Sequence, residues 1–235
     1  MTRAALRIAW ATTTDLADVS DNSLQPAELE RAGRYKSELR RRQHTGSRAM
    51  LRALLAEHTG QPALSFGLTA SERGKPVCVG GPAVSISHSG DVVACALLDS
   101  GELGIDIEFP GRARDVSGIA ERYFAPAEAD WLATQPADRF YMLWVLKEAW
   151  LKATGAGIAG GLDKLRCTVT PPRIDLLTGS TPVTALQLHA LGDGLLGIAT
   201  LETQPASIQL QRWIPSQDAF IAQEGPELLA SHSAG

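Results

Sequence analysis

The chain of 235 residues runs twice through one order of segments: a strand pattern, then helix patterns, then short strand patterns. The first round begins with a strand at 6–10 and ends near residue 105, where the second round starts. Each round contains a helix with an apolar face that closes on a Thr-Gly pair, ending at Gly60 and at Gly155. This repeated mixed order predicts an α+β fold built from two similar halves.

We expect the repeat to divide the chain into an N-terminal α+β half over 1–104 and a C-terminal α+β half over 105–223. Residues 224–235 follow the last strand pattern and are expected to form a flexible tail. Within the first half, Ser47 is predicted to cap the helix that ends at Gly60.

Composition and charge narrow the classes of function. The longest aliphatic run, 92–98, is far shorter than the ~20 residues of a membrane-spanning helix. Arg7 interrupts the apolar stretch that a signal peptide would need, so we expect a cytoplasmic protein. The 22 Lys and Arg residues against 26 Asp and Glu residues give a net charge of −4, which argues against nucleic-acid binding.

One segment departs from this acidic balance. Between Arg31 and Arg52 the only acidic residue is Glu38, and all other charged side chains are Lys or Arg. The segment is either a solvated helix face or a surface for an anionic partner, since guanidinium groups match phosphate oxygens in bidentate geometry. Phosphate groups and acidic proteins are the partners that this chemistry favours.

A short strand at 104–108, with the sequence Gly-Ile-Asp-Ile-Glu, carries two acidic side chains. Strand side chains alternate between faces, so Asp106 and Glu108 share one face. Two carboxylates at this spacing repel each other unless they are solvated at a sheet edge or surround a cation. A few oxygen ligands favour Mg²⁺, which keeps several waters and bridges substrate phosphates.

A helical segment at 144–152 places Glu148 and Lys152 four residues apart, so their side chains meet on one face. This pattern alone is also that of an ordinary surface ion pair. Before it in the chain, His88 follows Ser87 at the end of a strand pattern, where a histidine in a serine-rich turn can hold a phosphate.

Taken together, these pieces resemble the two-domain, Sfp-like 4′-phosphopantetheinyl transferases. The resemblance covers 74–152 and depends on four motifs that follow in the family's order and approximate spacing: Gly74-Lys75-Pro76, Ser87-His88-Ser89, the strand at 104–108, and the helix at 147–152. It implies two α+β halves related by pseudo-twofold symmetry, with coenzyme A and magnesium in the cleft between them.

The resemblance implies a metal site and two catalytic residues. Asp106, Glu108 and Glu148 match the Mg²⁺ ligands of the family. Glu148 is also our candidate for the base that accepts the proton of a substrate hydroxyl. Lys152 is expected either beside the transferred phosphate or as the group that orients Glu148.

The resemblance also implies where coenzyme A is held. Lys75, Ser87 and His88 stand where the family binds the coenzyme phosphates. Arg31 and Arg48 fall where basic residues hold the nucleotide end. The N-terminal half is therefore expected to bind coenzyme A, and the C-terminal half to carry the metal and the catalytic acids.

The implied reaction transfers 4′-phosphopantetheine from coenzyme A to a serine hydroxyl of an apo carrier protein (acyl, polyketide or peptidyl) and releases adenosine 3′,5′-bisphosphate. The expected partners are coenzyme A and an acidic carrier protein, with no nucleic acid and no membrane, and the enzyme is expected to be a monomer. Two alternatives would use the same residues: a Mg²⁺-dependent phosphohydrolase and a non-catalytic regulator that binds coenzyme A.

Overall fold

The computed structural model of the chain describes residues 5–109, 115–157, 161–181, 183–205 and 207–233. Along these ranges a strand and helices precede a run of strands, and helices and strands then follow again. The predicted α+β class is therefore confirmed.

The helices of the described ranges begin and end at residue types that favour those positions. In chain order they are α1 (Pro26–Gly33), α2 (Glu38–Thr59), α3 (Val116–Tyr123), α4 (Pro126–Leu132) and α5 (Asp138–Thr154). α1 and α4 both start with proline, whose missing N–H costs no helical hydrogen bond there. α2 and α5 end at Gly60 and Gly155, with left-handed φ angles of 73° and 67°, as predicted. None of these helices is both long and apolar enough to cross a membrane.

α2 begins at Glu38, ten residues earlier than a helix capped by Ser47 would begin. Its N-cap is Ser37, whose hydroxyl accepts a hydrogen bond from the backbone N–H of Arg40. Ser47 lies inside the helix and donates to the carbonyl oxygen of His44 at 2.9 Å, so the prediction of a cap there is wrong. The basic run before it contains strong helix formers, which extend the helix toward the N-terminus.

The strands of the described ranges form two larger sheets and a short ribbon. In chain order they are β1 (Ala5–Thr12), β2 (Leu68–Ala70), β3 (Pro76–Cys78), β4 (Ala83–Ser89), β5 (Val92–Leu98), β6 (Glu102–Glu108), β7 (Cys167–Thr170), β8 (Arg173–Leu176), β9 (Ala185–Leu191), β10 (Gly194–Leu201), β11 (Ser207–Ile214), β12 (Ala219–Ala222) and β13 (Glu227–Ser233). The first sheet has the order β12-β11-β1-β5-β4, the second β6-β10-β9-β13-β8-β7, and β2 pairs with β3.

Strands from the end of the chain enter both sheets. β11 pairs in parallel with β1, with Ile208 opposite Leu6, so it extends the first sheet although it lies beyond residue 105. β13 pairs antiparallel with β9 and contacts β8, so the predicted flexible tail is wrong for residues 227–233. The apolar residue Ala230, fully buried on β13, accounts for this docking. The boundary between residues 104 and 105 and the pseudo-twofold symmetry stay predictions, although the strand order β1-β5-β4 recurs as β6-β10-β9.

α5 lies directly on the backbone of the second sheet because two glycines leave room for it. A Cβ atom added to Gly104 on β6 would lie 1.9 Å from the carbonyl oxygen of Ala149. A Cβ atom added to Gly197 on β10 would lie 2.4 Å from the carbonyl oxygen of Val145. This close approach sets the height of α5 above β6, the strand that carries Asp106.

We expect Gly104→Ala to destabilise the fold by about 1–3 kcal/mol, because the new methyl group overlaps helix backbone that has no space to move. The free energy of unfolding, measured in urea, tests this. Gly33→Ala at the end of α1 is the matched control, since its Cβ would meet nothing within 4 Å. A Gly104→Ala variant as stable as Gly33→Ala would contradict the packing described for α5.

Candidate active site

A cavity of about 670 Å³ opens between the two sheets. α2 and the strand β4 of the first sheet line one side, and α5 and the strand β6 of the second sheet line the other. Its walls contain all the predicted site residues except Lys75: Arg31, Arg48, Ser87, His88, Asp106, Glu108, Glu148 and Lys152. One wall is cationic and comes mainly from α2, and the other is acidic and comes from β6 and α5. The cavity therefore brings together side chains that lie more than 100 residues apart in the chain.

The acidic wall follows from two local patterns. Alternation along β6 places Asp106 and Glu108 on the side of the cavity, and α5 adds Glu148 from above the strand. Lys152, one helical turn after Glu148, donates to Asp106 Oδ1 at 2.7 Å. This ion pair is partly shielded from solvent, since both side chains expose a third of their area or less.

These carboxylates have the chemistry of a Mg²⁺ site, because hard oxygen ligands are what this cation prefers. Among the residues that the structure describes, however, no three His, Cys, Asp or Glu side chains are grouped so that they could hold a metal ion. Asp106 instead bonds to Lys152 and to Ser87. The predicted ligand set of Asp106, Glu108 and Glu148 thus shares one cavity but would have to rearrange its side chains to hold a metal, and it stays a prediction.

The cationic wall is suited to an anion. Arg48 is buried yet lines the cavity, and burial is the largest cause that lowers the pKa of its guanidinium, while Glu28 acts in the opposite direction. A buried arginine remains charged, so an anion in the cavity would offset the cost of its desolvation. Arg31 is exposed at the end of α1 and also lines the cavity.

His88 lines the cavity next to the residues of this cationic wall. Both of its ring nitrogens lie 3.2 Å from Nη1 of Arg40. Desolvation, with smaller effects of Arg40 and Lys152, lowers the pKa of His88, and Asp106 acts in the opposite direction. The imidazole is therefore neutral near pH 7 in the free protein, and an anion bound between it and Arg40 would favour its protonation.

Sequence analysis missed several residues of the cavity. Arg40 and His44 line it together with Arg48, and Tyr35 and Trp144 are also among its lining residues. The spacing of residues 40, 44 and 48 is i, i+4, i+8, which places them on one face of a helix. A helix that starts after a cap at Ser47 would exclude residues 40 and 44, so this continuous face follows only from the helix that the structure shows.

Lys75 is the predicted site residue that the structure places elsewhere. Its Nζ donates to the carbonyl oxygen of Ala153 at 2.6 Å and forms an ion pair with Glu102. It lines a separate cavity of about 500 Å³. The carbonyl groups at the C-terminus of α5 attract cations, which explains why this lysine turns away from the acidic wall.

The comparisons with known proteins agree with this site. A family model described as the 4′-phosphopantetheinyl transferase superfamily matches residues 102–199, which include the acidic wall. The 4′-phosphopantetheinyl transferase HetI of Nostoc sp. is 33% identical over 158 residues, which are 63% of this chain and 66% of that protein. The 4′-phosphopantetheinyl transferase Sfp of Bacillus subtilis is 43% identical over 84 residues, which are 34% of this chain and 36% of that protein.

A human relative extends the similarity. The L-aminoadipate-semialdehyde dehydrogenase-phosphopantetheinyl transferase of Homo sapiens is 30% identical over 171 residues, which are 66% of this chain and 55% of that protein. The matched segments thus span between about a third and about two thirds of the length of these relatives. The acidic wall of the site lies within the segment that the family model matches, and each of these relatives is named as a phosphopantetheinyl transferase. The chain belongs to the 4′-phosphopantetheinyl transferase superfamily, which confirms the resemblance seen in its motifs.

Proposed function

We propose that the protein transfers the 4′-phosphopantetheine arm of coenzyme A to a serine hydroxyl of an apo carrier protein. The observation that carries this proposal is a single cavity with a cationic wall and a wall of carboxylates, in a chain of this superfamily. The cationic wall fits the phosphates of coenzyme A, and the carboxylate wall fits the reacting pyrophosphate with a divalent cation.

In the proposed reaction the carrier serine oxygen forms a bond to the phosphorus that bears the pantetheine arm. The bond from that phosphorus to the oxygen of adenosine 3′,5′-bisphosphate breaks, and the bisphosphate leaves. Glu148 accepts the serine proton, since its carboxylate lines the cavity and belongs to the acidic wall. Lys152 and His88 lie at the same cavity and offset the negative charge of the phosphates.

Asp106, Glu108 and Glu148 would hold the Mg²⁺ ion of this reaction. When bound, the ion neutralises charge on the pyrophosphate. Lys152 would then exchange its bond to Asp106 for one to a phosphate oxygen, because both are anions that an ammonium group can bind. Arg31 and Arg48 would hold the nucleotide end of coenzyme A from the opposite wall.

The second substrate would be an acidic carrier protein. The basic segment between Arg31 and Arg52 borders the cavity, and Arg41 and Arg42 on it are exposed and form ion pairs with Glu38. A negatively charged carrier would be steered to this face. We also propose that the enzyme acts as a monomer, because one chain supplies both walls of the cavity.

Mass spectrometry of an apo carrier protein tests the proposal. After incubation with the protein, coenzyme A and Mg²⁺, we expect the carrier to gain one phosphopantetheine arm, and excess chelator should prevent the gain. A carrier whose acceptor serine is replaced by alanine is the matched control and should stay unmodified. Release of inorganic phosphate with an unmodified carrier would indicate a phosphohydrolase, and binding of coenzyme A with neither product would indicate a regulator; both would refute the transfer.

A further inference from the structure

The two sheets meet at a seam between β4 and β6. β4 is the last strand of the first sheet and β6 the first strand of the second, so each presents an edge to the other. Serine side chains of β4, instead of its backbone, accept amide hydrogens of β6 and of Phe109, the residue after it: Ser85 from Ile105 at 3.0 Å, Ser87 from Ile107 at 3.2 Å, and Ser89 from Phe109 at 3.0 Å. These hydroxyls satisfy an edge that would otherwise expose unpaired amides.

Two of these serines also contact the acidic wall. Ser87 Oγ donates to Asp106 Oδ1 at 2.7 Å, and Ser89 Oγ donates to Glu108 Oε1 at 3.2 Å. Among the described residues Ser85 donates to no carboxylate, because the residue in the matching position of β6 is Gly104. Each of the three serines therefore accepts one backbone N–H. Ser87 and Ser89 differ from Ser85 in that they also donate to a carboxylate.

A serine hydroxyl has a single proton to donate. In Ser87, which is buried, that proton is committed to Asp106, so the hydroxyl cannot also donate to a phosphate oxygen. This geometry disagrees with the role at the coenzyme phosphates that the motif implied for Ser87. It indicates a role toward the carboxylate instead.

We propose that Ser87 is a positioning residue that holds the Asp106 carboxylate from across the seam, and that Ser89 does the same for Glu108. Asp106 belongs to the second sheet, but its orientation is set by a strand of the first. The contact to β6 backbone at Ile107 and the contact to Asp106 come from one oxygen atom, so any shift of the seam moves the carboxylate as well. The consequence for catalysis rests on the proposed function, whereas the contact itself does not.

A double-mutant cycle in urea tests the contact without metal or substrate. We expect Ser87→Ala to raise the unfolding equilibrium constant about tenfold in the wild-type background, as for a hydrogen bond to a charged group. In an Asp106→Ala background the same change should have a smaller effect, close to that of Ser85→Ala, because only the hydrogen bond from the Ile107 amide is then lost. Ser85→Ala is the matched control and should have equal effects in both backgrounds. Equal effects of Ser87→Ala in both backgrounds would overturn the proposal.

Amide hydrogen exchange gives a second readout of the hydrogen bonds across the seam. In the wild type the amides of Ile105, Ile107 and Phe109 should be protected, although no backbone carbonyl of β4 accepts from them in the described structure. In Ser87→Ala the exchange at Ile107 should accelerate more than that at Ile105. Unprotected amides at these three positions in the wild type would contradict the serine hydrogen bonds across the seam.

Calorimetry with Mg²⁺ alone then tests the consequence for the acidic wall. Ser87→Ala should weaken Mg²⁺ binding about tenfold, and Ser85→Ala less than about twofold. Equal weakening in the two variants would overturn a positioning role toward the metal. A wild-type protein that binds no Mg²⁺ would refute the metal ligands of the proposed function, while the cycle above still decides whether Ser87 holds Asp106.

Discussion

The Glu148→Gln variant is expected to modify carrier protein at least about 100-fold more slowly than the wild type, the usual contribution of a general base. Glu148 is buried on α5 and lines the cavity beside the ion pair of Asp106 and Lys152. An amide keeps the shape of the side chain but cannot accept the serine proton under these conditions. Initial rates of carrier modification at saturating coenzyme A, followed by mass spectrometry, give the measurement.

Two controls separate this role from a general loss of structure. Binding of coenzyme A to Glu148→Gln, measured by calorimetry without carrier, should stay within about threefold of wild type, because the cationic wall around Arg48 and His88 is intact. Glu121→Gln changes an exposed glutamate on α3 outside the cavity and should leave turnover unaltered. Wild-type turnover in Glu148→Gln would show that Glu148 is not the base.

The acidic wall could be predicted because its parts are set by local periodicity. Alternation along β6 is enough to place Asp106 and Glu108 together, and the helical repeat is enough to place Glu148 and Lys152 together. The family resemblance then indicated that the two pairs belong to one site. The physical cause of that junction, the contact of α5 with the backbone at Gly104, could be seen only in the structure.

The features that sequence analysis missed depend on contacts between distant segments. Lys75 turns to the C-terminus of α5, about 80 residues further along the chain, and nothing near it in sequence indicates this. β11 joins β1 from the opposite end of the chain, and a strand pattern does not specify its partner. Residues 224–235 follow the last strand pattern and are therefore predicted as a tail, yet β13 lies between β8 and β9 in the second sheet.

Each predicted half contains a buried ion pair of the same design. Pro-Ala-Glu occurs at 26–28 and again at 126–128, and in both places the glutamate accepts the backbone N–H three residues before it, at 2.9 Å. Glu28 also binds Arg52 of α2, and Glu128 binds Lys147 of α5. Arg52 and Lys147 each donate further to two carbonyl oxygens of the chain that follows their helix. The repeated tripeptide is a signal from which these pairs could have been found, and it supports the predicted duplication.

We expect Lys147→Met to destabilise the protein by about 3–5 kcal/mol, the usual cost of leaving one partner of a buried ion pair without the other. Lys147 is fully buried, and its Nζ lies 2.7 Å from Glu128 Oε1. It also donates to the carbonyl oxygen of Leu162 at 2.8 Å and to that of Leu165. Methionine keeps most of the volume, so the loss would come from the uncompensated Glu128 carboxylate and the two carbonyl groups. The free energy of unfolding in urea measures it.

The matched comparison is Arg34→Met, which removes a cation from the exposed ion pair with Glu30 and should cost less than about 0.5 kcal/mol. Adding Glu128→Gln to Lys147→Met removes the buried negative charge while keeping one acceptor oxygen, for the amide of either Ala125 or Cys167, and should restore part of the lost stability. If Lys147→Met costs no more than Arg34→Met, the buried pair does not hold α5 against α4. Since α5 carries Glu148 and Lys152, the position of the acidic wall would then depend on the apolar packing of α5 and on its contacts at Gly104 and Gly197.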